Sequence, residues 1–93
     1  MSAETAEIDA LIEAYLAGNQ PYGAFSRRFM EIYLRDDLLD AEAMVYEPAY
    51  DIIYMGSAGE PSAEERAAGV LGESEVRARL TTFRTQLAGR ASV

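Results

Sequence analysis

The chain has 93 residues, 49% of them apolar, with 16 acidic residues against 8 arginines and no lysine, histidine, cysteine or tryptophan. That length supports one domain around one core, since so short a chain hides only about two thirds of its unfolded surface. Without thiol or imidazole there is no disulfide, thiolate nucleophile, histidine general base or Cys/His zinc site. A formal charge of -8 disfavours direct contact with nucleic-acid phosphates, which takes a basic face.

In chain order, residues Glu4 to Ala17 place Ile8, Leu11, Ile12, Tyr15 and Leu16 on one face of a first helix. Gly18 and Asn19 supply its stop. Pro21 suits a first helical turn, and Tyr22, Phe25, Phe29, Ile32 and Tyr33 carry a second helix to about Leu34. The short connection predicts an antiparallel pair. Asp40 is the expected N-cap of a third helix of about fifteen residues, with Val45, Ala49, Ile52 and Ile53 as its apolar stripe before Gly56. Pro48, inside this segment, removes a backbone donor and predicts a kink or a split. Gly56 to Pro61 reads as a loop, and Ser62 followed by Glu65 as a capping box opening a short helical turn through Ala68. After a break at Gly72, a final helix from Ser74 turns Val76, Leu80, Phe83 and Leu87 inward and stops at Gly89. Residues 89–93 are expected to fray, leaving a core of about 4–88. The fold class predicted is all-α, a compact antiparallel four-helix bundle.

Charge is unevenly spread. Residues 1–26 hold four acids and no base, and 36–65 hold nine acids and no base; five of the eight arginines follow residue 65. The acidic run comprises Asp36, Asp37, Asp40, Glu42, Glu47, Asp51, Glu60, Glu64 and Glu65. Such a run keeps a small protein soluble. Uncompensated like charges also repel, so this concentration points to steering a basic partner. Tyr46, Tyr50 and Tyr54, four residues apart, are expected between the apolar stripe and the side bearing Glu47 and Asp51. Tyrosine beside carboxylate suits a protein interface, where the ring gives rigid contact area and the acid anchors Lys or Arg.

Other chemistries lack their residues. Catalytic carboxylate pairs need a pocket that separates their pKa values, so an enzyme is not expected. The acids from Asp36 to Glu42 lack the calcium-loop spacing and its central glycine. No serine stands in the Asp-Ser-Leu setting of an acyl carrier, and no Gly-Lys-Ser/Thr follows Gly56 and Gly59. Metal and cofactor are therefore expected to be absent. No segment approaches the roughly 20 apolar residues of a membrane helix, and Met1 to Ala10 has no apolar run, so a cytoplasmic protein without membrane contact is expected.

One resemblance adds to these residues. The order Leu16-Ala17-Gly18, Phe25-Ser26-Arg27-Arg28-Phe29, a tyrosine-bearing third helix with an acidic exit, and Glu73-Ser74-Glu75-Val76-Arg77 resembles the colicin D type of self-protective bacterial immunity protein, over about residues 8–87. The resemblance implies a four-helix antitoxin that binds a nuclease toxin and covers its basic cleft with carboxylates. In the colicin D case the toxin cuts tRNA. The contacts expected are Asp36, Asp37, Asp40, Glu47, Asp51 and Glu60 pairing with toxin Lys or Arg, and Tyr50 and Tyr54 packing beside them. The free protein is expected to be a monomer that does not itself bind nucleic acid. Two other classes fit the same residues: an acidic mimic of nucleic acid that blocks a host nuclease or restriction system, and a helical scaffold that self-associates through its tyrosines.

Overall fold

The structure, a computed structural model, describes residues 3–34, 38 and 40–91, with only the backbone of 3, 4, 90 and 91. Among the described residues five helices follow one another: α1 (Ala3–Leu16), α2 (Tyr22–Tyr33), α3 (Asp40–Met55), α4 (Ala63–Ala67) and α5 (Glu73–Ala91).

The stops are set by local chemistry. Gly18 takes a positive φ of 83°, and past it the Asn19 N–H donates to the Ala14 carbonyl at 2.9 Å. The Gly18 N–H reaches Tyr15 at 3.0 Å, so α1 closes in a Schellman motif that satisfies its last carbonyls. The five-residue α4 ends the same way: Gly69 has φ 96°, and Val70 and Gly69 donate to Glu65 and Arg66. Its start is the capping box expected from Ser62 and Glu65, with both reciprocal hydrogen bonds formed. Pro21 is the N-cap of α2, one position outside the helix, and makes no side-chain cap bond.

One stretch narrows the expectation and one departs from it. α3 is continuous through Pro48, so the chain is not split there. The donor that proline lacks would have served the carbonyl of Met44. Met44 and Pro48 both lie on the exposed side, where water can take that place. α5 begins one residue earlier than expected and runs through Gly89 to Ala91. A glycine stops a helix by turning left-handed, and among the described residues only Gly18 and Gly69 have positive φ. Of the expected frayed tail, residues 92 and 93 lie outside the described residues.

The long helices share a core. α1 packs on α2, α2 on α3, α3 on α5 and α5 on α1. Between them sit Ile8, Leu11, Ile12, Phe25, Phe29, Val76, Leu80 and Phe83, all expected inside, together with Tyr15, Tyr22, Ile32, Tyr46, Ala49 and Ile53. The aromatic contacts are specific, with Tyr15 stacked on Phe25 at 4.5 Å between centroids. The radius of gyration is 13.3 Å, against about 12 Å for an average domain of this length. Among the described residues no helix is long and apolar enough to cross a membrane.

The link carrying α4 is closed at its base. The Leu71 N–H donates to Met55 at 2.7 Å and the Ser57 N–H to Leu71 at 3.0 Å, pairing Gly56 with Leu71 in an isolated bridge. Gly56 sits hard against α2 and α5: a methyl there would overlap the Tyr22 hydroxyl and lie 2.7 Å from Val76 Cγ2.

Candidate functional site: the outward face of α3

Each four-residue step along an α-helix overshoots a full turn by about 40°. Tyr46, Tyr50 and Tyr54 therefore walk around α3 rather than forming the straight stripe expected from their spacing. Tyr46 is 3% exposed, packs against Phe83, and donates its hydroxyl to Asp9 at 2.6 Å. Burial first, then the Asp9 hydrogen bond, pushes its phenol well up. Tyr50 sits half-buried at the seam with α2, and Tyr54 stands out, 69% exposed.

By the same geometry Asp40, Met44, Glu47, Asp51 and Tyr54 fall within an arc of about 80°. All five are exposed, Met44 by 72%. This is one face, three carboxylates interleaved with a thioether and a phenol.

The rings are ordered across two helices. Phe29 stacks on Tyr33 at 5.8 Å between centroids, Tyr33 on Tyr50 at 4.7 Å and Tyr50 on Tyr54 at 5.9 Å, with interplanar angles of 11°, 19° and 25°. The column runs from the fully buried Phe29 to the open Tyr54. The Tyr33 hydroxyl donates to the Ala43 carbonyl at 3.3 Å. Burial, then the nearby Glu47 and Asp51 carboxylates, push the Tyr33 phenol up, which places both charges beside the column.

Four of the arginines form ion pairs away from α3, while Arg79 lines a shallow pocket together with Asp51. Arg28 pairs with Glu7 and Glu31, Arg66 with Glu60 and Glu75, Arg77 with Glu73, and Arg84 with Glu13. None of those acids is on α3. Asp40, Glu47 and Asp51 have no basic side chain within ion-pairing distance among the described residues.

The expected contact residues thus divide. Asp40, Glu47, Asp51, Tyr50 and Tyr54 are brought together on α3 or at its seam. Glu60 is not among them; it lies in the link before α4, 2.6 Å from Arg66, so its charge is already matched. Asp36 and Asp37 lie outside the described residues. Sequence reasoning missed Met44, whose signal was its position four residues after Asp40 and three before Glu47. It also missed the pairing of Tyr33 with Tyr50, which no local spacing encodes.

A second concavity, a groove of about 1070 Å³ between α1, α3 and α5, has an apolar floor including Ile12, Val45 and Leu87. Its rim is internally matched, since Asp9 accepts from Tyr46 and Glu13 pairs with Arg84 at 2.9 Å. Among the described residues no group of three or more His, Cys, Asp or Glu side chains is placed to hold a metal ion.

Comparison with protein-family models, curated proteins and solved structures finds no match to this chain.

Proposed function

We propose that this protein is an immunity protein: it binds a bacterial toxin nuclease stoichiometrically in the cytoplasm and covers the toxin's basic substrate cleft with the outward face of α3. On this reading the four long helices form an antiparallel bundle whose task is to hold that face rigid, and no catalysis is involved. The resemblance to the colicin D type suggests a toxin that cuts tRNA.

The observation that carries the reading is the partition of charge. Arginines match acids on α1, α2 and α5 and in the link before α4, whereas Asp40, Glu47 and Asp51 have no ion pair among the described residues and stand around the exposed Met44 and Tyr54. A stable surface ordinarily mixes signs. Unmatched carboxylates around apolar contact area favour fast, specific association with a basic surface. They also disfavour self-association through this face, because two copies would oppose like charges. A monomer in the free state follows.

The test is capture of the tagged protein's partner from lysate of its own species, followed by a nuclease assay of what is captured. The expected outcome is a basic nuclease, inactive when mixed with one equivalent of this protein. A partner with no nuclease activity, or a nuclease that stays active at saturation, contradicts the proposal.

A further inference from the structure

The groove between α1, α3 and α5 presents apolar surface to whatever enters it. Ile12, Val45 and Leu87 contribute to its floor, and the threonines that line it turn their hydroxyls back on their own helix: Thr81 donates to the Arg77 carbonyl at 2.8 Å and Thr85 to the Thr81 carbonyl at 3.1 Å. The Tyr46 hydroxyl likewise donates to Asp9. A guest that brings backbone into such a groove must satisfy its own amides. A helix does so, whereas an extended segment needs a sheet edge to pair with. Size agrees. The lining residues of α1 run from Thr5 to Glu13, a rise of about 12 Å, and a helix of that length and about 10 Å across fills roughly 950 Å³. The groove holds about 1070 Å³.

Charge sets the character of the partner. Asp9, Glu13 and Glu42 line the groove against Arg84 alone, and the phenol that donates to Asp9 brings no charge to cancel the carboxylate's. Glu13 and Arg84 pair in the open, so their bridge is weak and free to reorganise. A second copy of this chain does not fit. Among the described residues its exposed large apolar side chains are Leu34, Met44 and Tyr54, which supply no run at i, i+3 or i+4, and copies of charge -8 repel.

We infer that this groove is a docking site for a two-turn amphipathic helix of a basic protein partner, its apolar stripe on Ile12, Val45 and Leu87 and its Lys or Arg side chains toward Asp9, Glu13 and Glu42. The site is separate from the face assigned above, since Glu42, Val45 and Tyr46 point about 180° around α3 from Asp40, Met44, Glu47 and Asp51. Failure of either assignment leaves the other standing.

The experiment titrates the whole protein with a blocked leucine–lysine peptide of about 15 residues, long enough to form a helix, with leucine at i, i+3, i+4 and i+7. Its scrambled isomer and a version with Glu for Lys are the controls, and the methyl signals of Val45, Thr85 and Leu87 are followed by NMR. The amphipathic basic peptide should shift those signals and bind at least about tenfold more tightly than either control. Thr85→Arg puts a guanidinium into the groove and should weaken it at least about tenfold, whereas Thr82→Arg, the same change at an exposed position outside the groove, should cost about twofold at most. Equal effects of the two substitutions, or shifts confined to residues outside the groove, overturn the inference. Hexylamine binding the groove as tightly as the peptide would make it a small-molecule site instead. A mass for the protein alone that rises with concentration, and no longer does so in Thr85→Arg, would give the groove to a second copy and equally overturn the inference.

Discussion

Gly56 marks where single atoms decide the packing. The helix α3 ends against α2 and α5 there, and the Tyr22 hydroxyl donates to the Ile53 carbonyl at 2.6 Å in the same spot. Burial, then Glu73, pushes the Tyr22 phenol up to about 12, so the group stays a donor across the ordinary pH range. Because a methyl at Gly56 would meet that hydroxyl and Val76, Gly56→Ala should destabilise the fold by about 1–3 kcal/mol, the usual cost of overpacking. Chemical denaturation measures it, and an unchanged midpoint would mean the helices part there at no cost. The residue scale was only partly legible in the sequence. The core positions could be read because helical period alone selects them. Gly56 reads simply as a helix stop, since the side chains that crowd it come from distant helices.

At the scale of elements, local signals were the reliable ones. Gly18 with Asn19, and Ser62 with Glu65, act within a turn of where they stand, and both boundaries form as the residues predict. Gly89 carries the same residue type as Gly18 but stays helical, because a glycine permits the left-handed turn without imposing it. Pro48 is the converse case, a strong breaker carried inside a continuous helix on its exposed side. It follows that Pro48→Ala should strengthen α3, by about 2 kcal/mol once the greater freedom of the unfolded chain offsets part of proline's penalty of about 3. A rise in the denaturation midpoint is the expected result. The tyrosine spacing of four was legible, but its meaning was not: the drift of about 40° per step sends one ring to the core, one to the seam and one to solvent.

Across the whole molecule, two properties follow from how charge and phenols are distributed. The first concerns alkali. Tyr15, Tyr22 and Tyr46 all have phenols pushed above their ordinary value of 10.0, by burial first and then by nearby carboxylates. A neutral group whose folded pKa is raised contributes stability that is fully present below the unfolded pKa and is lost as pH rises toward the folded one. Stability should therefore hold up to about pH 10 and fall between there and pH 12, phenolate absorbance and loss of helical circular dichroism rising together. Ionisation of these three phenols with the helices intact would contradict the packing described. The second property is the unmatched acidic face, and charge counts along the sequence located the run but not which acids arginines would quench. Glu60 and Asp51 look alike in the sequence; only the fold brings Arg66 to one and leaves the other open. The measurement that tests this account most directly is the association rate of the captured nuclease with the wild-type protein and with Glu47→Lys/Asp51→Lys, across a salt series. At low salt the double variant should associate at least about tenfold more slowly, and salt should narrow the gap as the steering field is screened. Equal rates at low salt would remove α3 from the interface and with it the function proposed for this face.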